Sequence, residues 1–144
     1  MTWKITSTIP AFAVPDLKVA IDFYSRLGFT VDWQWPDEQP THAGLRRGEC
    51  SIMFSRSQPC QRADVYFIVD DVDACHAEVM KGKPWELAES AGSLAKRNDC
   101  PPEQSLQPPA APASTDYGLR DFSIVDPWGH HMTFGEVEPG EETS

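Results

Sequence analysis

The histidines and cysteines of this chain could bind a metal or act as bases, but their spacing matches no metal motif. The sequence has four histidines and four cysteines, and no two cysteines stand in the C-x-x-C spacing of zinc and redox sites. His130 and His131 are adjacent on a predicted strand, so their side chains point to opposite faces. His131 shares a face with Thr133 and is predicted to reach a cleft. A lone histidine in a pocket can be a general base, but the sequence marks no nucleophile or oxyanion hole beside it.

The other histidines and the cysteines lead to structural predictions. His76 falls on the apolar stripe of a predicted helix and is expected to be a satisfied core or interface residue, while His42 starts a strand at the rim of the cleft. In a reducing cytosol the cysteines are expected to be free thiols, several of them buried. Cys60 and Cys100 lie in polar loop sequence and could pair only if the fold brought them together.

The bulk composition excludes several classes of function. The chain has 144 residues, 40% of them apolar, which suits one domain with its own core. The sequence contains no run of 18 apolar residues, so no membrane span is predicted. The N-terminus lacks the apolar stretch of a signal peptide, and a cytoplasmic protein is therefore expected. The net charge of −10 argues against nucleic acid as a partner. It would attract a cationic ligand, or it only keeps the protein soluble, since much of it lies in residues 136–142.

Local signals place these residues on alternating strands and helices. Residues 5–14 are β-rich and end at Pro15, which cannot continue a ladder. Asp16 is the expected N-cap of a helix whose apolar residues have helical spacing, and Gly28 ends that helix. Strands are then predicted over residues 29–35, 42–47 and 50–56.

The second half of the chain repeats this order. A strand over residues 65–69 precedes a helix with Asp71 as N-cap candidate and Gly82 at its end. Two further strands are predicted over residues 119–125 and 130–137, joined by a turn.

The repetition predicts a duplicated fold. Residues 13–17 match residues 68–72 at an offset of 55, and such self-similarity indicates duplication. The predicted fold class is α+β, with two tandem βαβββ modules that form a curled, cleft-containing mixed sheet. Module one covers about residues 5–57 and module two about residues 63–138, within a single domain over residues 1–144.

Residues 84–114 depart from the repeat. This stretch contains Pro101-Pro102, Pro108-Pro109 and Pro112, and is too proline-rich for regular structure. A short helix over residues 87–96 could form within it. A long loop beside a cleft is either a lid or a passive insertion, and the residues favour neither.

Several short motifs follow one another in both modules. The first module contains Val14-Pro15-Asp16-Leu17 and Arg26-Leu27-Gly28-Phe29, and the second contains Val69-Asp70-Asp71-Val72 and Asp126-Pro127-Trp128-Gly129. In this order and spacing they resemble the glyoxalase/bleomycin-resistance/dioxygenase (vicinal oxygen chelate) superfamily, and its bleomycin-resistance branch in particular. The resemblance covers nearly the whole chain outside residues 84–114. It implies paired βαβββ modules whose strands curl around a cleft.

The resemblance also implies where a metal would bind, because enzymes of this superfamily hold a divalent ion with His, Glu or Gln from four strands. The matching positions in this chain are Ile9, Met53, Asp64 and Thr133. Ile9 and Met53 cannot serve a hard or borderline divalent ion, and Thr133 is a poor ligand. Only Asp64 is competent. The sequence therefore predicts no metal and no other cofactor, and it argues against the metal-dependent chemistry of the superfamily.

The bleomycin-resistance branch implies a different use of the cleft, since its members bind a flat, cationic glycopeptide in grooves at a dimer interface, without chemistry. The expected ligand-binding residues are Asp32, Trp33, Ser55, Tyr66 and Tyr117 at groove positions, with Met53 and His131 on the cleft faces. Aromatic rings there would stack on planar or cationic groups. Trp33, Trp35 and Tyr66 could instead be core residues of their strands. Pro10 fits a family proline that shapes strand exchange between subunits.

These observations lead to three functional hypotheses. The favoured one is a homodimeric small-molecule binding protein that sequesters a planar or cationic, antibiotic-like ligand of the bleomycin type. The alternative is a metal-dependent lyase, isomerase or dioxygenase of the same superfamily, with atypical ligands drawn from Asp64, His131, His42 or Glu49. The third is an interaction or regulatory domain with a filled cleft. Neither nucleic acid nor a membrane is expected as a partner.

Overall fold

The computed structural model describes residues 2–57, 63–87 and 108–139. Their strands form two four-stranded mixed sheets, one from each half of the chain, with the orders β1-β4-β3-β2 and β5-β8-β7-β6. The first sheet consists of β1 (Ala11–Val14), β2 (Thr30–Trp35), β3 (His42–Arg47) and β4 (Cys50–Arg56). The second consists of β5 (Asp64–Ile68), β6 (Ala113–Ser114), β7 (Leu119–Val125) and β8 (His131–Val137). In each sheet the first strand pairs in parallel with the last, and the other pairs are antiparallel.

Two helices, α1 (Leu17–Ser25) and α2 (Val72–Gly82), begin where the sequence predicts. The Asp16 carboxylate accepts a hydrogen bond from the Val19 N–H at 3.0 Å, and the Asp71 carboxylate accepts one from the Ala74 N–H at 3.0 Å. Both predicted N-caps are therefore confirmed. After α2 the backbone turns through Lys83, which has a φ of 49° in the left-handed region.

Loss of the second cap is expected to lower the free energy of unfolding by about 1 kcal/mol, because Asp71→Ala leaves the Ala74 N–H without its acceptor. Asp70→Ala is the matched control, since Asp70 is exposed and forms no side-chain hydrogen bond within the described part of the chain. Urea unfolding curves of both variants measure the difference. Equal losses in the two variants would contradict the capping role.

The observed element order confirms the predicted α+β fold of two βαβββ modules, in two sheets that do not close into one barrel. Each predicted strand after β1 is found within one residue of its predicted ends. The buried core lies between the helices and the sheets. Aromatic contacts make it continuous between the two modules. The ring centroids of Phe29 and Phe67 are 6.2 Å apart, and those of Phe67 and Phe134 are 5.2 Å apart.

A buried polar contact also joins the modules. The Tyr24 hydroxyl on α1 donates to Asp126 Oδ2 at 2.8 Å, and Asp126 Oδ1 accepts from the backbone N–H groups of Trp128 at 3.0 Å and His130 at 2.9 Å. Both Tyr24 and Asp126 are fully buried. Burial is the main cause that raises the pKa of Asp126, and burial and the neighbouring Asp126 raise the pKa of Tyr24.

The ring of His130 completes this junction. Its Nδ1 accepts a hydrogen bond from the Ala63 N–H at 3.0 Å, and its Nε2 lies 2.8 Å from the Ala13 carbonyl oxygen. An amide can only donate and a carbonyl can only accept, so the ring is the neutral tautomer with its proton on Nε2. The ring also stacks on Phe12 with centroids 4.9 Å apart. His130 is thus a buried structural residue, and His131 points to the other face, as predicted.

Two predicted segments differ from the structure. The first strand begins at Ala11 instead of at residue 5, because Pro10 has no N–H for a ladder and the preceding residues find no neighbouring strand in the described chain. Within the stretch predicted to be irregular, Pro84–Leu87 forms a 3₁₀ turn, which the preset φ of its leading proline favours. Ala113–Ser114 at the end of that stretch also forms regular structure, the short strand β6, because it pairs with β7. The rest of the predicted short helix, the choice between lid and passive loop, and the pairing of Cys60 with Cys100 all fall on residues outside the described ranges.

Candidate ligand-binding site

Each sheet has one face covered by its helix and one face without a helix. Alternation along the strands sends Phe12, Ile52 and Phe54 into the core and leaves the intervening residues on the opposite side. The helix-free side of the first sheet, here called the first open face, carries Trp33, Trp35, His42, Gly44, Arg46, Ser51, Met53 and Ser55. That of the second sheet, the second open face, carries Asp64, Tyr66, Ile68, Asp121, Ser123, His131, Thr133 and Gly135.

On the first open face a tryptophan ring lies flat across a glycine. Trp33 pairs with Gly44 on the neighbouring strand, and a Cβ atom on Gly44 would collide with the Trp33 indole. The indole therefore rests against the bare backbone of β3, while 42% of the residue is exposed. The strand pairing shifts between Val31 and Trp33, which leaves Asp32 without a register partner and 3.9 Å from the Arg46 guanidinium. A planar group could stack on the free side of the indole.

A tyrosine has the same position on the second open face. A Cβ atom on Gly135 would lie 2.8 Å from two ring carbons of Tyr66, so this ring also lies over a glycine. The Tyr66 hydroxyl donates to Asp121 Oδ2 at 2.8 Å, and the Tyr117 hydroxyl donates to the same oxygen at 3.0 Å. Burial and the Asp121 hydrogen bond raise the pKa of Tyr66, and the Asp121 hydrogen bond is the main cause that raises the pKa of Tyr117. Both phenols therefore remain protonated donors at neutral pH.

The predicted binding residues fall into two groups. Asp32, Trp33, Met53 and Ser55 belong to the first sheet, and Tyr66, Tyr117 and His131 belong to the second. No hydrogen bond, ion pair or ring contact between described residues joins the two groups. The alternative that Trp33, Trp35 and Tyr66 are core residues is wrong, because all three are exposed.

A groove of about 850 Å³ is lined by residues of both modules, and Tyr66 is the one predicted binding residue among them. Ser51 from the first open face and Tyr66 from the second both line it, together with apolar residues such as Phe29 and Phe67 and charged ones such as Arg47 and Glu78. The Arg47 guanidinium and the Glu78 carboxylate pair across the two modules at 2.9 and 3.0 Å at its wall. Burial raises the pKa of the Cys75 thiol in this groove to about 11, so at neutral pH this thiol is protonated and a weak nucleophile.

Asp121 is the site residue that the sequence analysis missed. Alternation along β7 could have indicated it, because Asp121 and Ser123 alternate with the buried Phe122 and Ile124 and so lie on the opposite face of the sheet. His76 also differs from its prediction. Its ring packs edge-on against Phe122 with centroids 5.0 Å apart, but its buried Nε2 has no hydrogen-bond partner among the described residues and is not satisfied by them.

A family model described as the Glyoxalase/Bleomycin resistance protein/Dioxygenase superfamily matches residues 7–83. The chain belongs to this superfamily. A search of curated proteins finds no match. Solved structures of the superfamily fold match over almost the full length, and at their low identities they establish the fold.

One such structure is the bleomycin-binding protein from bleomycin-producing Streptomyces verticillus complexed with copper(II)-bleomycin, with a TM-score of 0.65 and 23% identity over 97% of this chain and 100% of that one. A bleomycin resistance determinant encoded on the transposon Tn5 has a TM-score of 0.62 and 18% identity over 94% and 100%. A glyoxalase-related enzyme from Clostridium phytofermentans has a TM-score of 0.67 and 13% identity over 94% and 97%. The superfamily fold thus occurs in binding proteins and in enzyme relatives.

The metal that superfamily enzymes hold does not fit the residues of this chain. Of the four corresponding positions, Met53 lies on the first open face, Asp64 and Thr133 lie on the second, and Ile9 precedes β1. One thioether, one hydroxyl and one carboxylate form a poor donor set for a divalent ion. Asp64 and His131 are register partners, yet the described ranges contain no group of three histidine, cysteine or acidic side chains placed to share an ion.

The described helices are also too short or too polar to cross a membrane.

Proposed function

We propose that this protein binds a planar or cationic small molecule of the bleomycin type and sequesters it without catalysis. The observation that carries the proposal is the pair of aromatic rings seated on glycines, Trp33 over Gly44 and Tyr66 over Gly135, each on a sheet face that no helix covers. Partly exposed aromatic rings that rest against glycine backbone are suited to stacking on planar heteroaromatic groups. The net charge of −10 favours a cationic ligand.

The proposal includes a homodimer, with the ligand in grooves between the two copies. A single copy leaves Trp35, Ile68 and Tyr117 more than half exposed, and the residues before β1 expose Trp3 and Ile5. Exposed apolar residues at this density mark a surface that another molecule covers. A second copy would cover both open faces by one symmetric interface, and would complete a groove around each ligand. Binding of this kind would protect a cytoplasmic target and so confer antibiotic resistance.

Titration with bleomycin, followed by tryptophan fluorescence and by calorimetry, tests the proposal. Saturable quenching is expected, and Trp33→Ala is expected to weaken binding about tenfold through the lost stacking. Gln34→Ala is the matched control, because Gln34 is the next residue of β2 and points to the opposite side. Its affinity should equal that of the unchanged protein.

The proposal fails if neither bleomycin nor other planar antibiotics give a saturable response. It also fails if the Trp33 and Gln34 variants lose affinity equally, since the loss would then not depend on the ring. Sedimentation of the protein with and without bleomycin measures the oligomeric state in the same samples. A monomer that binds bleomycin would remove the dimer from the proposal.

A further inference from the structure

The two tyrosine hydroxyls on the second open face converge on one oxygen of a carboxylate. Tyr66 and Tyr117 both donate to Asp121 Oδ2, at 2.8 and 3.0 Å. Asp121 Oδ1 accepts no hydrogen bond from any residue that the structure describes. Asp121 is a half-buried residue, and a carboxylate oxygen without a donor is a strong acceptor for a group that the ligand would bring.

The negative charge of Asp121 has no cationic partner among the described residues. The adjacent Arg120 points to the helix side of the sheet, where its guanidinium forms two short hydrogen bonds to Asp73 at 2.7 and 2.6 Å. The phenols of Tyr66 and Tyr117 are neutral and contribute no charge. On the first open face, in contrast, Asp32 has the Arg46 guanidinium at 3.9 Å. A cation is therefore attracted to the second open face more than to the first.

Besides the negative charge of Asp121, the two tyrosine rings beside it favour a cation. The hydroxyl end of the Tyr66 ring lies over Gly135 and beside the carboxylate, and Tyr66 is partly exposed. Tyr117 is 64% exposed and flanks the same oxygen. Aromatic ring faces attract cations, and a carboxylate between two rings combines this attraction with a hydrogen-bond acceptor.

We infer that Asp121, Tyr66 and Tyr117 form a subsite for the ammonium group of the ligand. The ammonium N–H donates to Asp121 Oδ1 while its charge lies against the two tyrosine rings. An alkylammonium group is preferred over a guanidinium group, because a guanidinium binds best to both carboxylate oxygens and Oδ2 already accepts two phenol hydrogens. The inference rests on the proposed function and specifies which chemical group of the ligand this face recognises.

Three small probes with the same ring separate charge from shape: phenethylamine, 2-phenylethanol and phenethylguanidine. NMR titration of the ¹⁵N-labelled protein follows the backbone amides of Asp121 and Gly135, which report on this face. Phenethylamine is expected to shift these amides saturably and to bind at least tenfold more tightly than 2-phenylethanol and several-fold more tightly than phenethylguanidine. Equal affinity for the amine and the alcohol would overturn the subsite.

Asp121→Asn is expected to abolish the preference for the amine over the alcohol, since it removes the charge and keeps an oxygen that the phenols can reach. Asp116→Asn is the matched control, because Asp116 is an exposed carboxylate one residue from Tyr117 and outside the cluster. Tyr66→Phe and Tyr117→Phe keep both rings and should keep most of the preference. Loss of the preference in the Asp116 variant to the same extent as in the Asp121 variant would overturn the assignment.

The two proposals fail in different ways. Bleomycin binding that depends on Trp33, with no selectivity for phenethylamine, overturns the ammonium subsite alone. Selectivity for phenethylamine that depends on Asp121, with no response to planar antibiotics, overturns the proposed bleomycin-type ligand and supports the subsite. The probe comparison uses the unchanged protein, so it decides the inference even if a variant does not fold.

Discussion

Replacement of Asp126 by alanine is expected to lower the free energy of unfolding by about 3 kcal/mol or more, the largest stability loss foreseen for a single site in this protein. The carboxylate is fully buried and accepts hydrogen bonds from the Tyr24 hydroxyl and from the backbone N–H groups of Trp128 and His130. Alanine would leave all three donors without this acceptor and without access to water. Urea unfolding monitored by circular dichroism measures the loss.

Tyr24→Phe is the graded control for this site. It removes one donor and keeps the two backbone hydrogen bonds, so it should cost only about 1 kcal/mol. A loss with Tyr24→Phe as large as that with Asp126→Ala would mean that the Tyr24–Asp126 hydrogen bond accounts for the whole effect and that the two backbone hydrogen bonds contribute nothing.

The contribution of Asp126 to the free energy of unfolding should decrease as the pH rises. Burial raises the pKa of Asp126 in the folded protein above its ordinary value of 3.8. Its stability contribution is therefore fully present below pH 3.8 and is lost as the pH rises through the raised folded pKa. Asp126→Asn does not titrate and keeps an amide oxygen for the two backbone donors. The unfolding free energy of the unchanged protein minus that of this variant should fall as the pH rises through that window, and a constant difference would contradict the buried titration.

Gly44→Ala is expected to displace the Trp33 ring and to weaken binding of a bleomycin-type ligand about tenfold, at little cost in stability. The added Cβ cannot coexist with the present indole position, and the indole is a partly exposed side chain that can rotate away from the sheet. Displacement would move the indole into water, so a red shift of tryptophan emission should appear before any ligand is added. Calorimetric titration then measures the affinity.

A double-mutant cycle shows whether the glycine acts through the ring. In the Trp33→Ala background the Gly44→Ala change should have no further effect on affinity, because the group that it displaces is already gone. A second tenfold loss in that background would mean that the backbone at Gly44 contacts the ligand directly. An unchanged emission spectrum in the single variant would contradict the predicted seat of the indole on the glycine.

Features that depend on residues close together in the sequence could be predicted from the sequence alone. Capping chemistry and apolar periodicity within a few residues predicted the N-caps at Asp16 and Asp71, the positions of the helices, and the positions along the chain of the strands after α1. Strand alternation also indicated that His131 and Thr133 would lie on one sheet face and His130 on the other, because side chains in a strand change sides at every residue. The duplicated order of these elements led to the superfamily that the family model confirms.

Features that depend on which strands become neighbours were decided by the tertiary structure. Tyr66 reaches Asp121 only because β8 lies between their two strands and carries a glycine at the crossing point, and 55 residues separate the two in the chain. The Tyr24–Asp126 hydrogen bond spans 102 residues. Local sequence does not predict such long-range contacts, because these hydrogen bonds form only when both modules have folded and packed together. The sequence thus determined the elements and their faces, and the packing of the sheets decided which polar and aromatic groups meet on those faces.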